Sequence, residues 1–385
     1  MSSTAKEIHP IPNRAPPATR YIELHGDYGT TDFIMRRGEV LPAVNVAYEA
    51  WGKLSETHDN AILVFTGLSP SAHACSSSED PTPGWWEYMI GPGKPIDTDR
   101  FYVVCVNSLG SCFGSTSANS INPKTGKQYC SEFPELTIED IAKAGHHAMQ
   151  ELGVDHLYAV VGASMGGMSS LAYALQFPDE LDYLVTISGA CRALPLAIAM
   201  RSLQREIVTC DPDWKSGCYE PDEEPKRGMV LARKLGLVTY RAAEEWNVRF
   251  NRARVEPSRR SKEKFGIEFE VESYLDYNAH KFVETFDANS YLYLSRAMDL
   301  FDVAEHGGSV NAGLAKIHAK KTLVVGVDTD ILFPIQQQEE IYNGIKKAGR
   351  NVQFERIASN KGHDAFLVDE EQFSPMLRKF FAEIT

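Results

Sequence analysis

A serine, an aspartate and a histidine, far apart in this chain, are the residues whose types and order could do covalent chemistry together. The serine sits in Leu157-Tyr158-Ala159-Val160-Val161-Gly162-Ala163-Ser164-Met165-Gly166-Gly167-Met168. An apolar, β-branched run ends at Gly162, which also opens Gly-x-Ser-x-Gly. This pattern predicts a strand that turns sharply into a helix at Ser164, rather than a plain glycine-rich turn. Such a turn strains the serine backbone and leaves room only for small residues two before and two after it. Gly162 and Gly166 meet that need. The hydroxyl then projects from the carboxyl end of a sheet. The positive end of the following helix lies beneath it, where developing negative charge is stabilised.

A hydroxyl is a weak nucleophile, so it needs a base, and the base needs an orienting carboxylate. In a fold with this kind of turn, the order along the chain is Ser, then Asp or Glu, then His. The histidines after Ser164 are His280, His306, His318 and His363. His363, in Lys361-Gly362-His363-Asp364, falls between the last predicted strand and the terminal helix, where the base is expected. Asp328 and Asp330 both follow the strand that begins near Thr322. Asp330 lies further into the loop and is the preferred carboxylate, whereas Asp328 reads as a turn residue that bonds its own backbone. Two backbone N–H groups must meet the oxyanion: that of Met165, and one from the Gly67-Leu68 loop, assigned to Leu68. These parts specify acyl transfer through an acyl-serine. Water as acceptor gives an esterase or thioesterase, and an amino acid hydroxyl gives an acyltransferase.

The elements that must position these groups follow from periodicity. Val44, Val46 and Tyr48 alternate with Asn45, Ala47 and Glu49, which predicts a half-exposed strand. Ala61 to Phe65, Phe101 to Val106, Tyr183 to Ile187, Thr322 to Val327 and Val352 to Phe354 read as further strands. Thr137-Ile138-Glu139-Asp140 opens a helix, with an acid three residues after the threonine cap. Strands alternating with helices imply an α/β fold with a mostly parallel sheet covered on both faces. Residues 191–311 show helical patterns without a clear strand, so they read as a helical lid inserted into a core of 21–190 and 312–385. Residues 1–20, polar and proline-rich, read as a flexible or loosely docked arm.

Composition narrows the function classes. The chain has 385 residues, 43% of them hydrophobic, and a formal net charge of -13. Nucleic acid and anionic membranes both reward a basic surface, so neither is an expected partner. No signal-peptide pattern opens the chain, and no apolar run is long enough to span a bilayer. The cysteines at 75, 105, 112, 130, 191, 210 and 218 are odd in number and irregular in spacing. That argues against a disulfide scaffold or a zinc site and favours a reducing cytoplasm. Seven Arg and Lys in 249–264 read as a solvated loop rather than an anion-binding patch.

The chain resembles the homoserine/serine O-acyltransferases of the α/β-hydrolase superfamily. The resemblance rests on Gly84-Trp85-Trp86, Gly91-Pro92-Gly93-Lys94-Pro95-Ile96-Asp97-Thr98, Asn107-Ser108-Leu109-Gly110, Ser120-Ile121-Asn122-Pro123, the Ser164 segment, Phe286-Asp287-Ala288-Asn289-Ser290-Tyr291 and Gly362-His363-Asp364-Ala365-Phe366-Leu367. It implies an α/β-hydrolase fold and a ping-pong reaction in which Ser164 takes an acyl group from acyl-CoA and passes it to an amino acid hydroxyl. His363 would act as base in both halves, with Asp330 orienting it. The resemblance further implies Arg233, Tyr240 and Asp364 as ligands of the amino acid: a guanidinium for its carboxylate and a carboxylate for its ammonium. Acyl-CoA would be a co-substrate, with no metal or bound prosthetic group. Members of the family commonly dimerise through the helical lid, so a homodimer is expected.

Homoserine enzymes typically carry His-Ala-Leu-Thr-Gly in the oxyanion loop, whereas this chain reads Thr66-Gly67-Leu68-Ser69-Pro70. That departure resembles the serine O-succinyltransferase branch, which implies L-serine as acceptor, succinyl-CoA as donor and a role in cysteine biosynthesis. L-homoserine and acetyl-CoA are the alternatives. One methylene is worth only ~1–3 kcal/mol, so the shape of the Gly67-Leu68-Ser69-Pro70 loop must select the acceptor. Homoserine succinyltransferases of the family can place an Arg two residues after the orienting Asp. That position is Leu332 here, which leaves Arg201 as the candidate cation for the succinyl carboxylate.

Overall fold

The apolar runs form the inner strands of one sheet in the computed structural model, which describes residues 13–26, 31–260 and 262–384. Eight strands make this sheet: β1 (Arg20–Glu23), β2 (Asn45–Trp51), β3 (Ala61–Phe65), β4 (Tyr102–Val106), β5 (Leu157–Ala163), β6 (Leu181–Ile187), β7 (Lys321–Val327) and β8 (Val352–Ile357). Their spatial order is β1-β2-β4-β3-β5-β6-β7-β8. β1 and β2 run antiparallel to their neighbours, and the remaining pairs are parallel. β5, which ends at the serine, lies at the centre, with Val161 beside Val64 of β3 and Val185 of β6.

Alternate residues of these strands feed two separate apolar cores, as a pleated sheet covered on both faces requires. Leu63, Phe65, Val160, Leu184 and Val324 face one core. Ile62, Val64, Val161, Val185 and Val325 face the other. Helix α1 (Ile138–Glu151) packs into the first core, and its start is the capping box expected at Thr137 and Asp140. The last helix buries Phe373, Leu377, Phe380 and Phe381 in the second. β2 differs from expectation. Ala47 and Glu49, read as outward-facing, are buried, because β2 is paired along both edges and covered on both faces. Glu49 is matched there by His73, whose Nδ1 lies 2.8 Å from its carboxylate.

Between β6 and β7 the chain is helical. Among the described residues of 191–311 there is no strand, and the principal helices are α3 (Pro195–Thr209), α4 (Lys226–Tyr240), α5 (Ala243–Phe250), α6 (Glu270–Val283) and α7 (Ala288–Leu300). The insertion exposes Leu196, Leu203, Leu231, Val238, Phe265 and Tyr277. Residues 1–12 of the expected arm lie outside the described residues. Residues 13–20 pack against the body: Ala18 is buried, and Arg14 pairs with Glu224. Among the described residues no helix is long and apolar enough to cross a membrane.

Two cysteines form a disulfide that the spacing argument did not anticipate. Cys130, on an excursion after β4, is bonded to Cys218 in the insertion, 88 residues later. Their proximity is a product of tertiary packing, and irregular spacing along the chain carries no trace of it.

Candidate active site

The turn at Ser164 has the geometry that the glycines predict. Ser164 sits at φ 59 and ψ -123, and helix α2 (Met165–Gln176) begins at the next residue. Positive φ at a non-glycine residue is strained and persists only where its surroundings hold it. Here the Ser164 N–H donates to Ile187 O of β6 at 2.9 Å. A Cβ on Gly162 would lie 1.9 Å from Gly166 O, and one on Gly166 would lie 2.3 Å from Phe65 O. Neither position accepts any other residue while the turn stays this tight. Met165 supplies the first N–H of α2, and such N–H groups have no partner within their own helix. Leu68 lies after β3, in the wall of the same pocket.

His363 closes on the serine from the loop after β8. Its Nε2 lies 2.7 Å from Ser164 Oγ, and its Nδ1 lies 2.6 Å from Asp330 Oδ2. A carboxylate only accepts, so Nδ1 carries the proton and Nε2 is left to accept from the serine hydroxyl. The other oxygen of Asp330 accepts the N–H groups of Leu332 and Phe333 at 2.9 and 2.8 Å. The imidazole stacks on Phe333 at 4.9 Å and meets the edge of Phe366. Burial works against the charged imidazolium, but the nearby Asp330 charge and its hydrogen bond outweigh it, so the pKa of His363 is raised above 6.5. Asp328, the other carboxylate considered, points elsewhere and pairs with Arg356 at the surface. Gly362, just before the histidine, has φ +66, and a Cβ there would lie 2.8 Å from Tyr240 O and Ala242 N. The histidine loop is therefore pressed directly against the end of α4.

The insertion roofs the pocket with charge. Arg201 of α3 is 5% exposed and lines the same cavity as Ser164. Its Nε donates to Asp299 Oδ1 at 2.6 Å, while its buried Nη1 has no hydrogen-bond partner among the described residues. Arg205, one turn further on, pairs with the other oxygen of Asp299 at 2.7 Å and donates to Ser295 Oγ at 2.8 Å. Arg233 of α4 also lines the cavity, with its guanidinium 4.1 Å from the Phe282 ring and 5.1 Å from the Tyr240 ring. Its buried Nε is likewise unpartnered among the described residues. Asp364 lines the same cavity, 3.2 Å from Arg241 Nε. Burial raises its pKa, although Arg241 opposes the shift.

The structure thus brings Ser164, Asp330 and His363 into contact, and gathers Gly67, Leu68, Ser69, Pro70, Arg201, Arg233, Tyr240 and Asp364 around them. Gly67 is not required for room, since a Cβ there would meet Pro70 Cδ at an ordinary 3.7 Å. Arg205, Asp299, Ser295 and Tyr291 were not singled out from the sequence as site residues. Arg201 and Arg205 are four apart on one helix, as are Ser295 and Asp299, so each pair shares a face. Only the packing of α3 on α7 shows that these faces meet.

The family model described as the alpha/beta hydrolase fold matches residues 60–370. The chain is 55% identical over 368 residues to a serine O-succinyltransferase of Litchfieldella anticariensis, covering 95% of this chain and 99% of the relative. It is 53% identical over 371 residues to an L-serine/homoserine O-acetyltransferase of Streptomyces lavendulae, covering 95% and 98%. Among solved structures, esterase E22 superposes with a TM-score of 0.83 at 29% identity, covering 94% of this chain and 99% of that one.

Proposed function

The chain belongs to the serine and homoserine O-acyltransferase family within the α/β-hydrolase fold, and we propose that it transfers a succinyl group from succinyl-CoA to the hydroxyl of L-serine. In the first half, Ser164 Oγ attacks the thioester carbonyl while His363 Nε2 takes its proton. The oxyanion is met by the N–H groups of Met165 and Leu68. The C–S bond breaks, and the CoA sulfur leaves with the proton from His363. In the second half, the serine hydroxyl gives its proton to His363 and attacks the acyl carbon. The bond to Ser164 Oγ breaks, and Ser164 recovers the proton. Asp330 holds the imidazole tautomer throughout and stabilises its charged form.

The observation that carries this reading is the charge set around Ser164. A succinyl-enzyme with bound serine presents two carboxylates and one ammonium, and in a buried site each needs a counter-charge. Arg201, with its unpartnered Nη1, is assigned to the succinyl carboxylate. Arg233 is assigned to the serine carboxylate, with Tyr240 holding its guanidinium, and Asp364 to the ammonium. Arg241, already paired with Glu245 and Asp364, is not free to take a third partner in the same way. The product carries a good leaving group on its β-carbon, so the reaction that consumes it is a β-replacement by a sulfur nucleophile, towards cysteine. The exposed apolar side chains of the insertion support assembly of two copies through that face; the molar mass in solution tests it.

The decisive experiment is thiol release from succinyl-CoA and acetyl-CoA, each with L-serine, L-homoserine or no acceptor. Fast release only with succinyl-CoA and L-serine is expected. Faster release with L-homoserine would move the assignment to a homoserine acyltransferase. Equal release without acceptor would make the protein a hydrolase, the reading that the esterase likeness favours.

A further inference from the structure

Gly84-Trp85-Trp86 is prominent in the sequence, yet none of the three takes part in the reaction described. Their placement gives them a different task. The segment lies against residues 73–75: Trp85 N–H donates to His73 O at 3.3 Å, and Trp86 N–H to Ala74 O at 2.8 Å. A Cβ on Gly84 would lie 2.2 Å from the Ala74 carbonyl carbon, so only glycine permits this approach. Glu87 clasps the turn by accepting from Ser76 N–H at 2.7 Å and Gly84 N–H at 3.1 Å, and by pairing with Lys94.

From this clasp the two indoles reach two loops that line the pocket. They stack on each other, with ring centroids 5.1 Å apart and planes 17° from parallel. Trp85 Nε1–H donates to Ser71 O at 3.0 Å, directly behind the Gly67 to Pro70 loop. Trp86 Nε1–H donates to Phe366 O at 3.0 Å, and the hydroxyl of Tyr88 donates to the same carbonyl. Phe366 is the residue whose ring meets His363, and both loops line the cavity that holds Ser164.

We propose that the stacked Trp85–Trp86 pair is a positioning bridge that sets the gap between the acceptor loop and the histidine loop, with Trp85 governing the choice of acceptor through Ser71. The proposal rests on the transferase reading above. It separates the two indoles by role. Trp85 acts on the wall that measures acceptor length and that also carries the Leu68 N–H. Trp86 acts on the loop that carries the base, which serves both halves of the reaction.

Two variants of the full chain delete the donors, at the cost of one ring of each indole: Trp85→Phe, and Trp86→Phe combined with Tyr88→Phe. Stopped-flow thiol release from succinyl-CoA without acceptor reads acylation, and kcat/KM for L-serine and L-homoserine reads transfer. A lost hydrogen bond to a well-placed carbonyl corresponds to about a fivefold effect. Trp85→Phe is expected to lower the serine-to-homoserine preference about fivefold, whatever slowing of acylation it causes through the Leu68 N–H. The paired variant is expected to slow acylation and transfer together and to leave that preference unchanged. If Trp85→Phe leaves the preference unchanged, its role is structural and the proposal falls. If Trp85→Phe does not fold, 3-benzothienyl-alanine at position 85 replaces N–H by sulfur in nearly the same outline and reads the same ratio. Failure of the parent to show acceptor-dependent release would instead overturn the transferase reading, which the unsubstituted control measures by itself.

Discussion

The sheet and the insertion share one pocket but hold their functional groups in opposite ways. Ser164, His363 and Asp330 hang from strand ends, and their hydrogen bonds are largely satisfied by one another and by the backbone. Arg201 and Arg233 are held by a carboxylate and by ring faces, each with a buried nitrogen left unpartnered among the described residues. An unpaired buried donor costs free energy unless something arrives to accept from it. On the proposed reading the core triad is complete before substrate binds, whereas the arginines of the insertion are completed by it. Reaction type belongs to the first region; on the proposed reading the second takes the substrate carboxylates, while the Gly67 to Pro70 loop of the core measures acceptor length.

That division can be broken experimentally. Ser164→Ala removes the core nucleophile, and turnover should fall roughly 10⁴-fold or more. No succinyl adduct should then appear on the protein by mass spectrometry; persistence of even a hundredth of the activity would place the acyl group elsewhere. A smaller and more selective effect is expected from Arg201→Met. It should lower kcat/KM for succinyl-CoA about 10²-fold, since a buried charge would lose its partner. Acetyl-CoA, which has no distal carboxylate, should be affected far less. Equal loss with both donors would reduce Arg201 to a structural arginine. The smallest effect is one of pH. His363 must be neutral to accept a proton, and its pKa is raised above 6.5. Activity is thus lost as pH falls through a midpoint above 6.5, and it is recovered as pH rises. An acid limb of kcat/KM centred at or below 6.5 would mean that Asp330 does not hold the imidazolium as described.

What could be read from the sequence follows the same boundary. The turn at Ser164 was legible because its requirement is local: two glycines at fixed offsets from a serine after an apolar run. His363 and Asp330 were legible because chain order in such a fold restricts them to the loops after the last two strands. Glu49 misled, since alternation along β2 suggested an outward face, and only its neighbours on both edges and the covering His73 show otherwise. Cys130 and Cys218 misled for a related reason, as did Asp299 by omission. Each depends on two segments far apart in sequence meeting in space, and nothing in either segment alone records the meeting.

Gly362 carries a further consequence. Its α-carbon lies so close to the backbone of Tyr240 to Ala242 that the insertion leaves no room for a side chain on the base loop there. An inward shift of the insertion at that point would push on the base loop and move the imidazole relative to Ser164. A chimera that borrowed a whole insertion from a relative would import new pocket charges but would misplace the base unless the borrowed backbone met Gly362 in the same way. Changes of substrate preference in such a chain are better made by single substitutions on α3 and α4 than by exchanging the module that carries them.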